Sequence, residues 1–186
     1  EGTAMAWNRG VAFAPSGMKS CAGEYSECAD ADIVVIWAGV SQKPGESRLD
    51  LLKRNTAVFQ SIIGPIPHSG FSGIFLVATN PVDIMTRVTY ELSGFNSNRV
   101  FGTGTTLDTA RLRYLLGDYF TVDPRNVHAY VIGEHCDSEF VTWSQALVAT
   151  KSVADIREQS PGKFCLAETP TISAEVRPAA PKTIAA

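Results

Sequence analysis

Two short, unbroken apolar runs constrain this chain most: Ile33-Val34-Val35-Ile36 and Ile74-Phe75-Leu76-Val77-Ala78. Each has strand length and no polar alternation, which suits a strand covered on both faces, as in a parallel sheet. Between them Leu51, Leu52, Val58, Phe59, Ile62 and Ile63 fall near helical spacing over Leu51–Ile63. The polar stretch 41–50, with Pro44 and Gly45, reads as a loop. The pattern then repeats. Pro81 opens a helix over Val82–Leu92, and Asn98–Phe101 is a short strand. Thr105–Phe120 is a helix with Thr105 or Thr106 as its cap, and Val127–Ile132 is a strand. Alternating strands and helices predict an α/β fold around a mostly parallel sheet. Ligands of such sheets sit beyond the carboxyl ends of the strands, which nominates Gly39, Ala78, Thr79 and Asn80. On pattern alone, these residues equally end strands as ordinary turns. Residues 1–30 read as irregular.

Charge and cysteine usage narrow the classes. A formal net charge of −3 argues against nucleic acid as a partner, because phosphate binding leaves a basic footprint. No apolar run approaches the ~20 residues that cross a bilayer, and no leader is visible after Glu1. Cys21, Cys28, Cys136 and Cys165 have no paired metal spacing, so no metal is assigned and free thiols in a reducing cytoplasm are expected.

Four motifs stand in order: Gln42-Lys43-Pro44-Gly45-Glu46-Ser47-Arg48, Ala78-Thr79-Asn80-Pro81-Val82-Asp83, Leu107-Asp108-Thr109-Ala110-Arg111, and Ile132-Gly133-Glu134-His135. Together, at these spacings, they resemble the L-lactate and malate dehydrogenase family, and within it the bacterial L-lactate enzymes, from about Ala31 to Val148. The resemblance implies a Rossmann-type parallel sheet without its first βα unit, followed by the start of an α+β substrate domain. Residues 1–104 are then an incomplete NAD-binding domain, 105–149 the start of the catalytic domain, and 150–186 a divergent, poorly ordered tail.

A 2-oxo acid needs a carboxylate anchor, a donor for its carbonyl oxygen, and a proton source. Imidazole exchanges protons near neutral pH, and the resemblance makes His135 that source. It assigns Asp108 to orient His135 and Arg111, three residues on and so on the same helix face, to clamp the carboxylate with its planar fork. Arg48 polarises the carbonyl from a closing loop, and Asn80 donates to substrate beside the nicotinamide. Gly39, Val40, Ala78, Thr79, Asn80, Tyr25, Ser61 and Thr103 are implied to line NAD. Gln42 selects between substrates: relatives acting on malate carry arginine there, and an uncharged amide favours pyruvate over a dicarboxylate. Arg113 and His128 match positions that bind fructose 1,6-bisphosphate between subunits. The implied activity is interconversion of L-lactate and pyruvate in glycolysis and fermentation, by a homo-oligomer that is tetrameric in complete relatives.

The chain departs from the family in three places. No G-x-G-x-x-G turn is present to hold the pyrophosphate. Ala4 to Gly10 looks like the family's helix motif with residues deleted, so a shortened or lost helix is expected. Cys136 replaces a glycine after the histidine, and would be strained if that position needs a positive φ. The alternatives are a malate dehydrogenase-like enzyme and a non-catalytic truncated relative. The isolated chain is expected to turn over weakly or not at all.

Overall fold

A computed structural model of the chain describes residues 2–15, 17–41, 43–136, 138–159 and 176, without the side chains of Arg48 and Arg157. The chain divides into two compact units, 1–75 with 88–100, and 76–87 with 101–186. The elements are α1 (Gly2–Gly10), β1 (Ile33–Ile36), α2 (Arg48–Ile63), α3 (Pro65–His68), β2 (Ile74–Val77), α4 (Val82–Ser93), β3 (Val100–Gly102) and α5 (Thr106–Phe120). They continue as β4 (Val127–His128), β5 (Val131–Ile132), β6 (Phe140–Val141), β7 (Leu147–Val148), β8 (Lys151–Ser152) and α6 (Val153–Gln159).

The parallel sheet has the order β1-β2-β3. In the first unit Ile74 N–H donates to the Asp32 carbonyl at 2.9 Å where β2 begins beside β1. The chains meet so closely that a Cβ on Gly73 would fall 2.1 Å from the Asp32 oxygen, so glycine is required there. Ser47 caps α2 by accepting from Asp50 N–H, and Asn55, Phe59 and Ile63 form the buried stripe of that helix at a spacing of four. The first turn, which holds Arg48 and Asp50, is polar, so hydrophobic period alone starts this helix three residues late.

The second unit is built on α5. Leu112 and Leu116 are fully buried against Val127, Ala129, Val131, Ala146, Val148, Val153 and Val176. Each buried leucine contributes about 1.5–3 kcal/mol. Strands β4, β7 and β8 form an antiparallel sheet, with Val127 opposite Val148 and Leu147 opposite Ser152. Strands β5 and β6 form a hairpin with Val131 opposite Val141.

Several expectations need correction. Val127–Ile132 is two strands in two sheets rather than one, although burial alternates without a break across Ala129 and Tyr130. Residues 2–10 are helical rather than irregular, with no buried residue. Strand β1 is not covered on both faces: it lies at the sheet edge, and Ile33 and Val35 are 55% and 58% exposed. Residues 151–159, assigned to a poorly ordered tail, form β8 and α6, because Val153 is buried in the second core. Of the rest of that stretch, only Val176 lies among the described residues.

Candidate active site

The second unit assembles three of the motif residues. Asp108 sits in the first turn of α5 and is 1% exposed. Its Oδ2 lies 2.5 Å from His135 Nδ1, and its Oδ1 accepts from Arg111 Nη1 at 3.2 Å. One buried carboxylate thus takes two charge-assisted hydrogen bonds, each stronger than a neutral one. Because Asp108 engages Nδ1, His135 is left with Nε2 for a substrate. Because Asp108 takes a single nitrogen of Arg111, the rest of the guanidinium fork is left for a ligand.

Local structure fixes this geometry. His135 lies on the β5–β6 connection, where Gly133 has φ +103° and Cys136 N–H donates to the Glu134 carbonyl at 2.6 Å. The His135 backbone N–H donates to Asp83 Oδ2 at 3.0 Å. The start of α5 is tied to β5 by hydroxyls. Thr105 donates to the Val131 carbonyl at 2.6 Å, and Thr109 Oγ1 accepts from Val131 N–H at 3.0 Å. The cap expected of Thr105 or Thr106 is therefore absent: Thr105 is used across to β5, and Thr106 donates to the Thr103 carbonyl at 2.6 Å. Among the described residues only Thr121 and Ala149 combine a side chain with positive φ, so Cys136 carries no left-handed strain.

Motif reading gave no role to Thr109, Thr105, Asp83 or Glu139. Glu139 is 4% exposed and its Oε2 lies 3.9 Å from His135 Nδ1. Asp108, His135 and Glu139 offer donor atoms all within 4.8 Å. The 2.5 Å approach of Asp108 to Nδ1 suits a shared proton; two ligands at ~2.0–2.2 Å from a common metal would stand farther apart.

Other nominated residues occupy separate places. Ala78, Thr79 and Asn80 follow β2; Thr79 is buried and Asn80 exposed. Thr103 N–H donates to the Val77 carbonyl at 2.8 Å, which sets it beside the end of that strand. In the first unit Gly39 and Val40 follow β1, and Val40 N–H donates to the buried Asn55 Oδ1 at 2.9 Å. Tyr25 is 43% exposed, and Ser61 turns its hydroxyl back to the Val58 carbonyl at 2.7 Å. The flank of a nicotinamide dinucleotide fits strand ends of this kind, whereas the pyrophosphate-holding glycine turn is not in these 186 residues. Arg113 reaches the Arg125 carbonyl at 3.5 Å, in the turn before β4, where His128 is exposed. Gln42 and the Arg48 side chain lie outside the described residues.

The loop between them is nevertheless anchored. Arg54 Nη1 holds both oxygens of Glu46, at 2.7 and 2.9 Å, and Lys43 N–H donates to Glu46 Oε2 at 2.8 Å. The Lys43 N–H first, and the Arg54 guanidinium second, hold the Glu46 carboxyl below its ordinary value of 4.5, against a smaller opposing effect of burial. A lowered carboxyl stabilises the loop above the ordinary value, and that contribution is lost as pH falls through the lowered one. Amide exchange at Lys43 and Glu46 is therefore expected to accelerate as pH drops below about 4.5, after correction for intrinsic rates. Glu46→Gln should remove that pH dependence; an equally steep rise in the variant would refute the anchor.

The family model described as the lactate/malate dehydrogenase NAD binding domain matches residues 1–102, and that of the lactate/malate dehydrogenase alpha/beta C-terminal domain matches 105–185. The chain belongs to the lactate/malate dehydrogenase family. The second match runs into the stretch that reads as divergent. L-lactate dehydrogenase 2 of Bacillus cereus is 56% identical over 156 residues, 84% of this chain and 50% of that protein. L-lactate dehydrogenase of Geobacillus kaustophilus is 53% identical over 180 residues, 97% of this chain and 56% of that protein. Among solved structures, a lactate dehydrogenase from a Medee basin deep-sea metagenome library superposes with TM-score 0.93 at 49% identity, over 100% of this chain and 59% of that one. The minor L-lactate dehydrogenase of Enterococcus mundtii, in its ligands-bound form, gives 0.92 at 42% identity, over 99% and 58%. The chain thus spans between 50% and 59% of the length of these family members. Among the described residues no helix is long and apolar enough to cross a membrane, and Cys21, Cys28 and Cys136 are free thiols.

Proposed function

We propose that this chain is the substrate-holding portion of an NAD-dependent L-lactate dehydrogenase that interconverts L-lactate and pyruvate. The observation that carries the reading is the single buried carboxylate of Asp108, bonded at once to His135 and Arg111. Arg111 receives the carboxylate of the 2-oxo acid as two parallel hydrogen bonds. His135 gives its Nε2 proton to the carbonyl oxygen on reduction and takes it back on oxidation, while Asp108 stabilises the imidazolium. NAD, when bound, supplies or accepts the hydride. Asn80 and Arg48 polarise the carbonyl, and Gln42 favours the methyl of pyruvate over a second carboxylate. Gly39, Val40, Ala78, Thr79, Tyr25, Ser61 and Thr103 flank the cofactor. Arg113 and His128 form half of a fructose 1,6-bisphosphate site completed by a second subunit of a tetramer, and the enzyme is cytoplasmic.

The test does not require turnover. Oxamate, an unreactive 2-oxo acid isostere, is titrated into labelled chain on the order of 10 mM, past a millimolar Kd. Shifts at Arg111 and His135 are expected; a folded chain without them overturns the reading. NADH oxidation with pyruvate against oxaloacetate then addresses Gln42, and preference for oxaloacetate would favour a malate dehydrogenase-like enzyme.

A further inference from the structure

Val131 lies four residues before His135, is buried, and stands opposite Val141 in the β5–β6 hairpin. Thr142 N–H donates to the Tyr130 carbonyl at 3.0 Å beside that pair, which makes Val131 a position without hairpin hydrogen bonds. Its N–H and carbonyl therefore point away from β6, where two hydroxyls of α5 and its N-cap meet them. Thr109 Oγ1 accepts from Val131 N–H at 3.0 Å, and Thr105 Oγ1 donates to the Val131 carbonyl at 2.6 Å. The Thr109 hydroxyl also donates, at 3.4 Å, to that same carbonyl. Thr105, Asp108 and Thr109 have the i, i+3, i+4 spacing of one helix face. The face that grips the backbone of β5 thus also carries the carboxylate that engages His135 Nδ1.

We propose that Thr105 and Thr109 are positioning residues: their hydroxyls set β5 at the distance from α5 that brings His135 Nδ1 within 2.5 Å of Asp108. The inference rests on the dehydrogenase reading for what that alignment serves. Strand β5 ends at Ile132, and the chain turns through Gly133 at φ +103° to reach His135, so the place of Val131 against α5 decides where the imidazole arrives. A proton donor must be aligned closely, since a displacement of about 1 Å costs on the order of a hundredfold in rate. Asp83 also holds the His135 main chain, but through an exposed bond where water competes, whereas both threonine bonds are partly buried. Arg111 differs from His135 in this respect. It shares α5 with Asp108, so its alignment does not depend on β5. The carboxylate clamp is built within one helix, and the proton donor is brought to it by the threonine pair.

Thr109→Val keeps the shape of the side chain and removes the hydroxyl, and Thr109→Ser keeps the hydroxyl. Both are read by nuclear magnetic resonance in the labelled 186-residue chain. In T109V the Val131 amide is expected to exchange about tenfold faster, the loss of one net hydrogen bond. The low-field proton between His135 Nδ1 and Asp108 should move upfield or vanish into exchange with water. Oxamate should still shift Arg111 but lose its effect on His135. T109S should restore all three readouts. A role in stability alone would lower the thermal midpoint of T109V and leave the Nδ1 proton of the folded chain where it is, and that result overturns the proposal. If T109V does not fold, Thr105→Val removes the shorter bond without disturbing a side-chain helix cap, and an unmoved Nδ1 proton in T105V overturns it likewise. Failure of the dehydrogenase reading shows differently: no oxamate response in the unaltered chain, with the Nδ1 proton still moving in T109V.

Discussion

Phe75→Ala is expected to lower the thermal midpoint of the chain by roughly 10 °C, the consequence of losing about 3–5 kcal/mol. Phe75 is fully buried on β2, with Phe71 edge-on at 5.0 Å and Phe95 tilted at 5.2 Å between ring centroids. Phe71 and Phe95 stack at 5.8 Å, so the three rings form one cluster in the first unit. Arg99 closes the cluster: its guanidinium lies 4.0 Å over Phe95, and its Nε and Nη2 donate to the Gly73 carbonyl at 3.0 and 2.8 Å. Deleting the central ring forfeits apolar transfer and leaves a cavity that bonded neighbours cannot fill. Aromatic contacts add about 0.5–1.5 kcal/mol beyond area. Because a domain is stable by only about 5–15 kcal/mol, this one truncation removes much of the margin. Calorimetry with amide exchange over β2 checks it, and Phe75→Leu, which refills most of the space, should recover most of the loss. A shift under about 1 kcal/mol in F75A would refute the role given to the cluster.

Why the sequence displays some of this and hides the rest follows from the range of each interaction. The runs Ile33–Ile36 and Ile74–Val77 and the α5 face marked by Leu112 and Leu116 are local patterns, so hydrophobic period exposes them. The break between β4 and β5 is invisible for the same reason: burial keeps its period of two through Ala129 and Tyr130, and only the pairing partners change. Residues 2–10, expected to be irregular, nevertheless form α1 without burying any side chain. At the site, Asp108, Arg111 and His135 were legible as members of motifs. The residues that hold them were not. Thr109 grips β5 from 22 residues away, and Asp83 holds His135 across 52. Glu139 follows His135 by four residues on an irregular connection, where that spacing predicts no shared face.

The largest functional effect is expected from Asp108→Asn. The substitution preserves shape but turns a two-way acceptor into a group with one oxygen and one NH2. The oxygen can face Arg111 Nη1 or His135 Nδ1, and the NH2 must face the other. If the NH2 meets His135, Nδ1 becomes an acceptor and the ring is held neutral with its proton on Nε2, so donating that proton would create imidazolate. If it meets Arg111, a donor opposes a cation and the carboxylate clamp loses its tether. Either way the pyruvate-dependent oxidation of NADH should fall by about 10²–10⁴, the usual contribution of a positioned acid. Oxamate shifts at Arg111 and His135 should weaken in parallel, a readout that survives low turnover. Stability should also fall by about 2 kcal/mol, since two charge-assisted bonds to a buried carboxylate are worth about 1.5–3 kcal/mol each and both partners remain partly solvated. That corresponds to a lowering of roughly 4–8 °C in the thermal midpoint. A folded D108N that retained wild-type turnover and oxamate response would refute the dyad as the proton device, because neither arrangement of the amide leaves both His135 and Arg111 as they are.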